Sequence, residues 1–117
     1  MIDYEYPTEK ELAVLSGWDW HDIAGLLDEI RRLWWMPDWG FVEPYRSKGI
    51  LGKSAVKFQL HTGGWSGNED IIDALMENMF FWTFYWQKSE YGGHYWFEVP
   101  QYLSKGIKTS PIHSRQR

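Results

Sequence analysis

Ser54-Ala55-Val56-Lys57-Phe58-Gln59-Leu60-His61-Thr62-Gly63-Gly64-Trp65-Ser66-Gly67-Asn68-Glu69 decides the fold. Up to His61, apolar and polar residues alternate with the period of two of a half-buried strand. Ile71, Ile72, Leu75, Met76 and Met79 then follow helical spacing, which predicts a helix of about three turns. Between the two patterns, Gly63, Gly64 and Gly67 allow positive φ angles or close approach of a ligand. Ser66 and Asn68 are candidate helix caps, and Ser66 with Glu69 fits a capping box. A glycine-rich strand-to-helix turn also presents N–H groups to an anion, so it is a candidate site.

Towards the N-terminus, Thr8 and Glu11 form a second capping box after Pro7, opening a short helix that should stop near Gly17. Asp19 is the candidate cap of the next helix, with Asp22 in its first turn. Ile23, Leu26, Leu27, Ile30, Leu33 and Trp34 give that helix one apolar stripe, Arg31 and Arg32 suit its C-terminal dipole, and Pro37 ends it. Gly40 to Glu43 is a short run that Pro44 confines to an edge strand or bulge, and residues 47–53 read as a loop. Towards the C-terminus, the aromatic run Phe80 to Gln87 predicts a strand by propensity. A turn at Glu90-Tyr91-Gly92-Gly93 and a partner strand from His94 to Val99 follow. The order α-α-β-β-α-β-β implies an α+β fold: an antiparallel sheet of four strands with helices packed on one face. One domain spans residues 1–117, with a poorly ordered tail expected from Lys108.

Alternation sorts the side chains into two faces. Val56, Phe58, Leu60, Trp82, Phe84, Trp86, Tyr95, Phe97 and Val99 should form the core face. Lys57, Gln59, His61, Phe81, Thr83, Tyr85, Gln87, His94, Trp96 and Glu98 should face away from the helices. That second set mixes cations, amides, imidazoles and rings, the means of stacking a base. A solvated face with a few cross-strand aromatic pairs is the plainer alternative, and a homodimer interface through Phe81, Tyr85 and Trp96 is another.

The chain has 117 residues, no cysteine and a net charge of −4, which excludes thiolate chemistry and disulfides and argues against general DNA binding. Residues 1–43 carry −7 and residues 44–117 carry +3. The acids Asp19, Asp22, Asp28 and Glu29 of the N-terminal half could therefore meet a basic partner. Nine tryptophans, seven tyrosines and six phenylalanines exceed what a small core ordinarily needs, so some rings should serve binding. No apolar stretch approaches the roughly 18 residues of a membrane span. The acidic start lacks the basic region of a signal peptide, so a cytoplasmic protein is expected.

The motifs of catalysis are missing. The Gly64–Asn68 stretch lacks the second glycine of a nucleophile elbow, and no lysine completes a Walker pattern. There is no HExxH, so a metal site requires His61 and His94 to converge, with Glu69 beside them. No cofactor or metal is expected, and a hydrolase or transferase using His61, His94 and Glu69 is the enzymatic alternative.

Thr62 to Glu69 with Ile72, Ala74 and Leu75, then Phe81-Trp82, Tyr85-Trp86 and Ser89, then Gly92 to Tyr95, Phe97 and Pro100, form one spaced pattern. It resembles a family of small uncharacterised phage and prophage proteins. That resemblance implies a phage-encoded protein in the host cytoplasm that counters host defence. The expected mode is non-enzymatic sequestration of a nucleotide-derived signal. Trp65, Tyr85 and Trp96 would stack on the base, His61, Asn68 and His94 read polar edges, and Gly63, Gly64 and Ser66 accommodate the rest. Inhibition of a host nuclease complex through the acidic helices is the alternative.

Overall fold

A computed structural model describes residues 5–110. Two strands set the frame: β2 (Ser54–His61) and β4 (His94–Pro100) pair antiparallel along their whole length, from Ala55 opposite Pro100 to His61 opposite His94. β1 (Phe41–Lys48) adds to the outer side of β2, and β3 (Trp86–Glu90) to the outer side of β4, giving the order β1-β2-β4-β3. Both hairpins are antiparallel, and the chain crosses from β2 to β3 through two helices. The α+β class and the four-stranded antiparallel sheet are as the sequence predicts.

β1 is longer than expected because its pairing shifts between Val42 and Tyr45, a bulge that absorbs Pro44. It remains an edge strand, and the loop is correspondingly shorter. α1 (Glu9–Ser16) starts at the Thr8–Glu11 capping box with both reciprocal bonds made. α2 (Ile23–Leu33) buries Ile23, Leu26, Leu27, Ile30 and Leu33, as its period requires. Its cap is Asp22, not Asp19: the Asp22 carboxylate accepts the Gly25 N–H. Asp19 instead accepts from the backbone N–H of His21, two residues on. α3 (Pro37–Gly40) is a single turn before β1.

α4 (Ser66–Glu77) begins earlier than the hydrophobic pattern shows. Trp65 is its cap residue, and no side chain caps it. The Ser66–Glu69 capping box therefore does not form, because Ser66 and Asn68 lie inside the first turn. Met76 and Met79, expected on its buried side, are exposed.

The largest departure follows. Residues Met79–Tyr85 form helix α5, and only at Trp86 does the chain become a strand. Asn78 explains the change: its Oδ1 accepts the Phe81 N–H as an N-cap, while its Nδ2 donates to the carbonyls of Leu15 and Trp18. Helical spacing then turns Phe81 and Tyr85 together into the core, both at 0% exposure, and Phe80 and Phe84 outward. Strand propensity loses to tertiary capping. The expected faces are reversed here: Phe84 and Trp86 are exposed, whereas Phe81 and Tyr85 are fully buried.

The core joins α2, α4 and α5 to the inner face of the sheet, where Val56, Phe58, Leu60, Phe97 and Val99 lie. Phe58 and Phe97 stack at 4.8 Å across the β2–β4 pair. Of the tail expected from Lys108, residues 111–117 lie outside the described residues, as do residues 1–4 of the acidic start. Ser110 is tied down by its N–H to the Pro44 carbonyl at 2.7 Å. Among the described residues, no helix is long and apolar enough to cross a membrane.

Candidate ligand-binding face

The helices cover one side of the sheet, and alternation sends the other residues of β2 and β4 to the opposite side. Cross-strand pairing arranges them in rows: Tyr45, Lys57 and Glu98; Gln59, Trp96 and Lys88; His61, His94 and Glu90. The rows are joined by hydrogen bonds. Gln59 Nε2 donates to the Tyr45 hydroxyl at 2.8 Å, and Gln59 Oε1 lies 3.0 Å from His61 Nε2. His61 Nδ1 meets His94 Nδ1 at 2.7 Å. With this amide orientation Oε1 accepts, so neutral His61 carries its proton on Nε2, and the bridging proton belongs to His94 Nδ1.

Trp96 sits beside this chain. The His61 ring approaches it edge-on at 5.6 Å, and the Lys88 ammonium lies over its ring at 4.4 Å. At an open site such a cation–π contact is worth about 0.5–1 kcal/mol. Glu98 accepts the Ile50 N–H at 2.9 Å, which folds the β1–β2 loop against one end of the face. Tyr45, Lys57, Gln59, Gln87, Lys88 and Trp96 border a depression of about 270 Å³.

Of the residues predicted to bind, His61, His94 and Trp96 are brought together on this face. Gly63 and Gly64 make the turn that follows His61, at φ values of +65° and +76°. Next to them Gly93 packs against the Thr62 hydroxyl, leaving no room for a side chain. The other four have structural work. Trp65 stacks on Trp35 at 4.3 Å and on Tyr6 at 6.0 Å. Ser66 Oγ donates to the Tyr6 hydroxyl at 3.4 Å. Asn68 is fully buried, accepting the Trp35 N–H and donating to the Trp35 and Thr62 carbonyls. Tyr85 is buried in α5 with its hydroxyl on the Trp20 carbonyl, and burial pushes its pKa up to about 12. None of the stacking expected of Tyr85 is available to a ligand. Tyr45 is not legible in the sequence because Pro44 breaks the strand pattern there, whereas the bulge carries the strand through.

The enzymatic set does not assemble. Glu69 lies near Tyr95, whose hydroxyl is held above its usual pKa by burial and by the charges of Asp73 and Glu69. Tyr95 and His94 are successive strand residues and point to opposite faces. Among the described residues, no three His, Asp or Glu side chains group to hold a metal.

The acidic helices are largely engaged within the fold. Arg31 bridges Asp28 and Glu43, and Arg32 bridges Glu29 and Glu11. Asp19 is paired with His21 and held below its ordinary pKa by the His21 N–H. Asp22 is the α2 cap. The expected dimer patch of Phe81, Tyr85 and Trp96 does not exist, since two of the three are core. The exposed Phe80 and Phe84 gather instead beside the half-buried Trp20, which stacks on Phe84 at 4.6 Å. The chain matches no protein-family profile, no curated protein and no solved structure.

Proposed function

We propose that this chain is a non-enzymatic binding protein whose open sheet face takes a planar, anionic, nucleotide-like ligand. The observation that carries the reading is Trp96: a half-buried ring under a lysine ammonium, bordered by a hydrogen-bonded chain from Tyr45 to His94. A base takes the place of the ammonium over the Trp96 ring, since stacking is tolerant of base identity and is worth about 1–3 kcal/mol. The displaced Lys88, together with Lys57, meets the phosphate. The bonded chain of Tyr45, Gln59, His61 and His94 holds the border of the platform in a fixed orientation, which lowers the ordering cost of binding. The depression lies near the small end of ligand pockets, at roughly 300 Å³, so one mononucleotide unit fits better than a strand. In the phage setting implied by the sequence pattern, such a protein counters host defence by sequestering a nucleotide-derived signal.

Calorimetry with cyclic nucleotides and ADP-ribose derivatives tests the reading. Saturable binding by one class, weakened at least tenfold by Trp96→Ala and by Lys88→Ala, is expected from the stacking and charge terms. No heat with any member at high micromolar concentration overturns it.

A further inference from the structure

We propose that His61 and His94 form a two-imidazole site for a borderline divalent ion such as Cu(II) or Zn(II). The pair closes the last row of β2 and β4, at the edge of the open face, and its two Nδ1 atoms converge to 2.7 Å. Imidazole nitrogen suits these ions. Two nitrogens bound to one ion at ordinary 2.0–2.1 Å bond lengths lie roughly 3 Å apart, so the pair must open slightly and each ring must turn until its Nδ1 leaves the line joining the two nitrogens and points at the ion.

The second observation concerns the ring atoms that face away from the contact. A metal-binding histidine ordinarily donates its other ring N–H to an oxygen that fixes tautomer and orientation. Gln59 Oε1 does this for His61 Nε2, and the Gln59 amide is itself anchored on the Tyr45 hydroxyl. His61 Nδ1 is thereby held as a lone pair, which accepts the His94 proton until an ion takes that proton's place. Binding moves the bridging proton of His94 from Nδ1 to Nε2, so the neutral pair exchanges a hydrogen bond for two metal–nitrogen bonds without net proton release. Two protein donors leave the remaining coordination positions to water or to an anionic ligand on the neighbouring face. The site does not depend on the nucleotide reading.

Imidazole-detected 15N NMR of the full chain, titrated with zinc chloride alone, tests the site. The Nδ1 signals of His61 and His94 should move together and saturate at one ion per chain. His21→Ala should leave that titration unchanged. Copper(II) should bind more tightly than zinc, with two nitrogens coupled in its electron paramagnetic resonance spectrum. His61→Ala and His94→Ala should each abolish the copper signal of this type, and Gln59→Leu should weaken binding about tenfold through the lost orienting bond. Persistence of the direct Nδ1–Nδ1 hydrogen bond at saturating zinc overturns the proposal. Copper coupling unaffected by both histidine variants does the same.

Discussion

The two faces of the sheet are built from the same two strands, yet they hold together by different physics. On the helix side, Val56, Phe58, Leu60, Phe97 and Val99 are buried almost completely, and their contribution is the removal of apolar area from water. On the open side, Gln59 and Glu98 are also buried, but each is held by a directed bond to Tyr45 or Ile50. Contacts on the first face are non-directional and tolerate repacking. Those on the second fix particular atoms, which is what recognition needs and what stability needs less.

That contrast predicts a graded series. Phe97→Ala should be the most damaging change, costing about 3–5 kcal/mol in urea unfolding, because it removes a ring stacked on Phe58 and packed against Phe81 and Trp82. A cost below about 1 kcal/mol would break the contrast from the core side. Asn78→Ala should cost about 2–3 kcal/mol, since it strips the α5 cap and removes the amide bonds to the carbonyls of Leu15, at the end of α1, and of Trp18 after it. Circular dichroism should show the loss falling on helix rather than sheet.

Tyr85 gives the next effect, visible only in base. Burial holds its phenol neutral, pushing the pKa from 10.0 up to about 12. The folded state therefore keeps this proton more tightly than the unfolded chain does. Stability should be fully present below pH 10 and fall as pH rises towards 12, by about 2 kcal/mol from this group. Tyr85→Phe should flatten that limb in pH-dependent urea titrations; an unchanged slope would deny that the ring is buried. The smallest effect belongs to the open face. Trp96→Ala should alter unfolding free energy by about 1 kcal/mol, a partly exposed ring with one cation–π partner, while removing ligand binding. A loss as large as that of Phe97→Ala would mean that Trp96 is core.

Where the sequence carried periodic, capped elements, it was legible. α2 announces itself through six apolar positions at helical spacing, and α1 through one capping box; α1 lies within a residue or so of its expected bounds, whereas α2 starts three residues later than a cap at Asp19 implies and ends at Leu33, before Pro37. β2 alternates without interruption. The strand-to-helix turn was also found, but its polar residues were assigned to a ligand when they serve the fold. Asn68 is spent on the Trp35 backbone, a partner 33 positions away that no local pattern reveals. Residues 79–85 depart from the strand that their propensity predicts: aromatic rings favour strands on average, while this particular run is captured by a cap whose own anchors lie on Leu15 and Trp18.

The sequence by itself determined which residues alternate, which recur every three or four positions, and hence the α+β class and the split of β2 and β4 into two faces. Those properties are local, because Cβ direction follows from backbone geometry alone. Tertiary structure alone decided that His61 stands opposite His94, that Lys88 lies over Trp96, that Pro44 sits in a bulge bringing Tyr45 to Gln59, and that Tyr85 faces inward. Each of these depends on strand register or on a bond between distant segments, and such pairings are chosen by the whole core, not by neighbours in the chain.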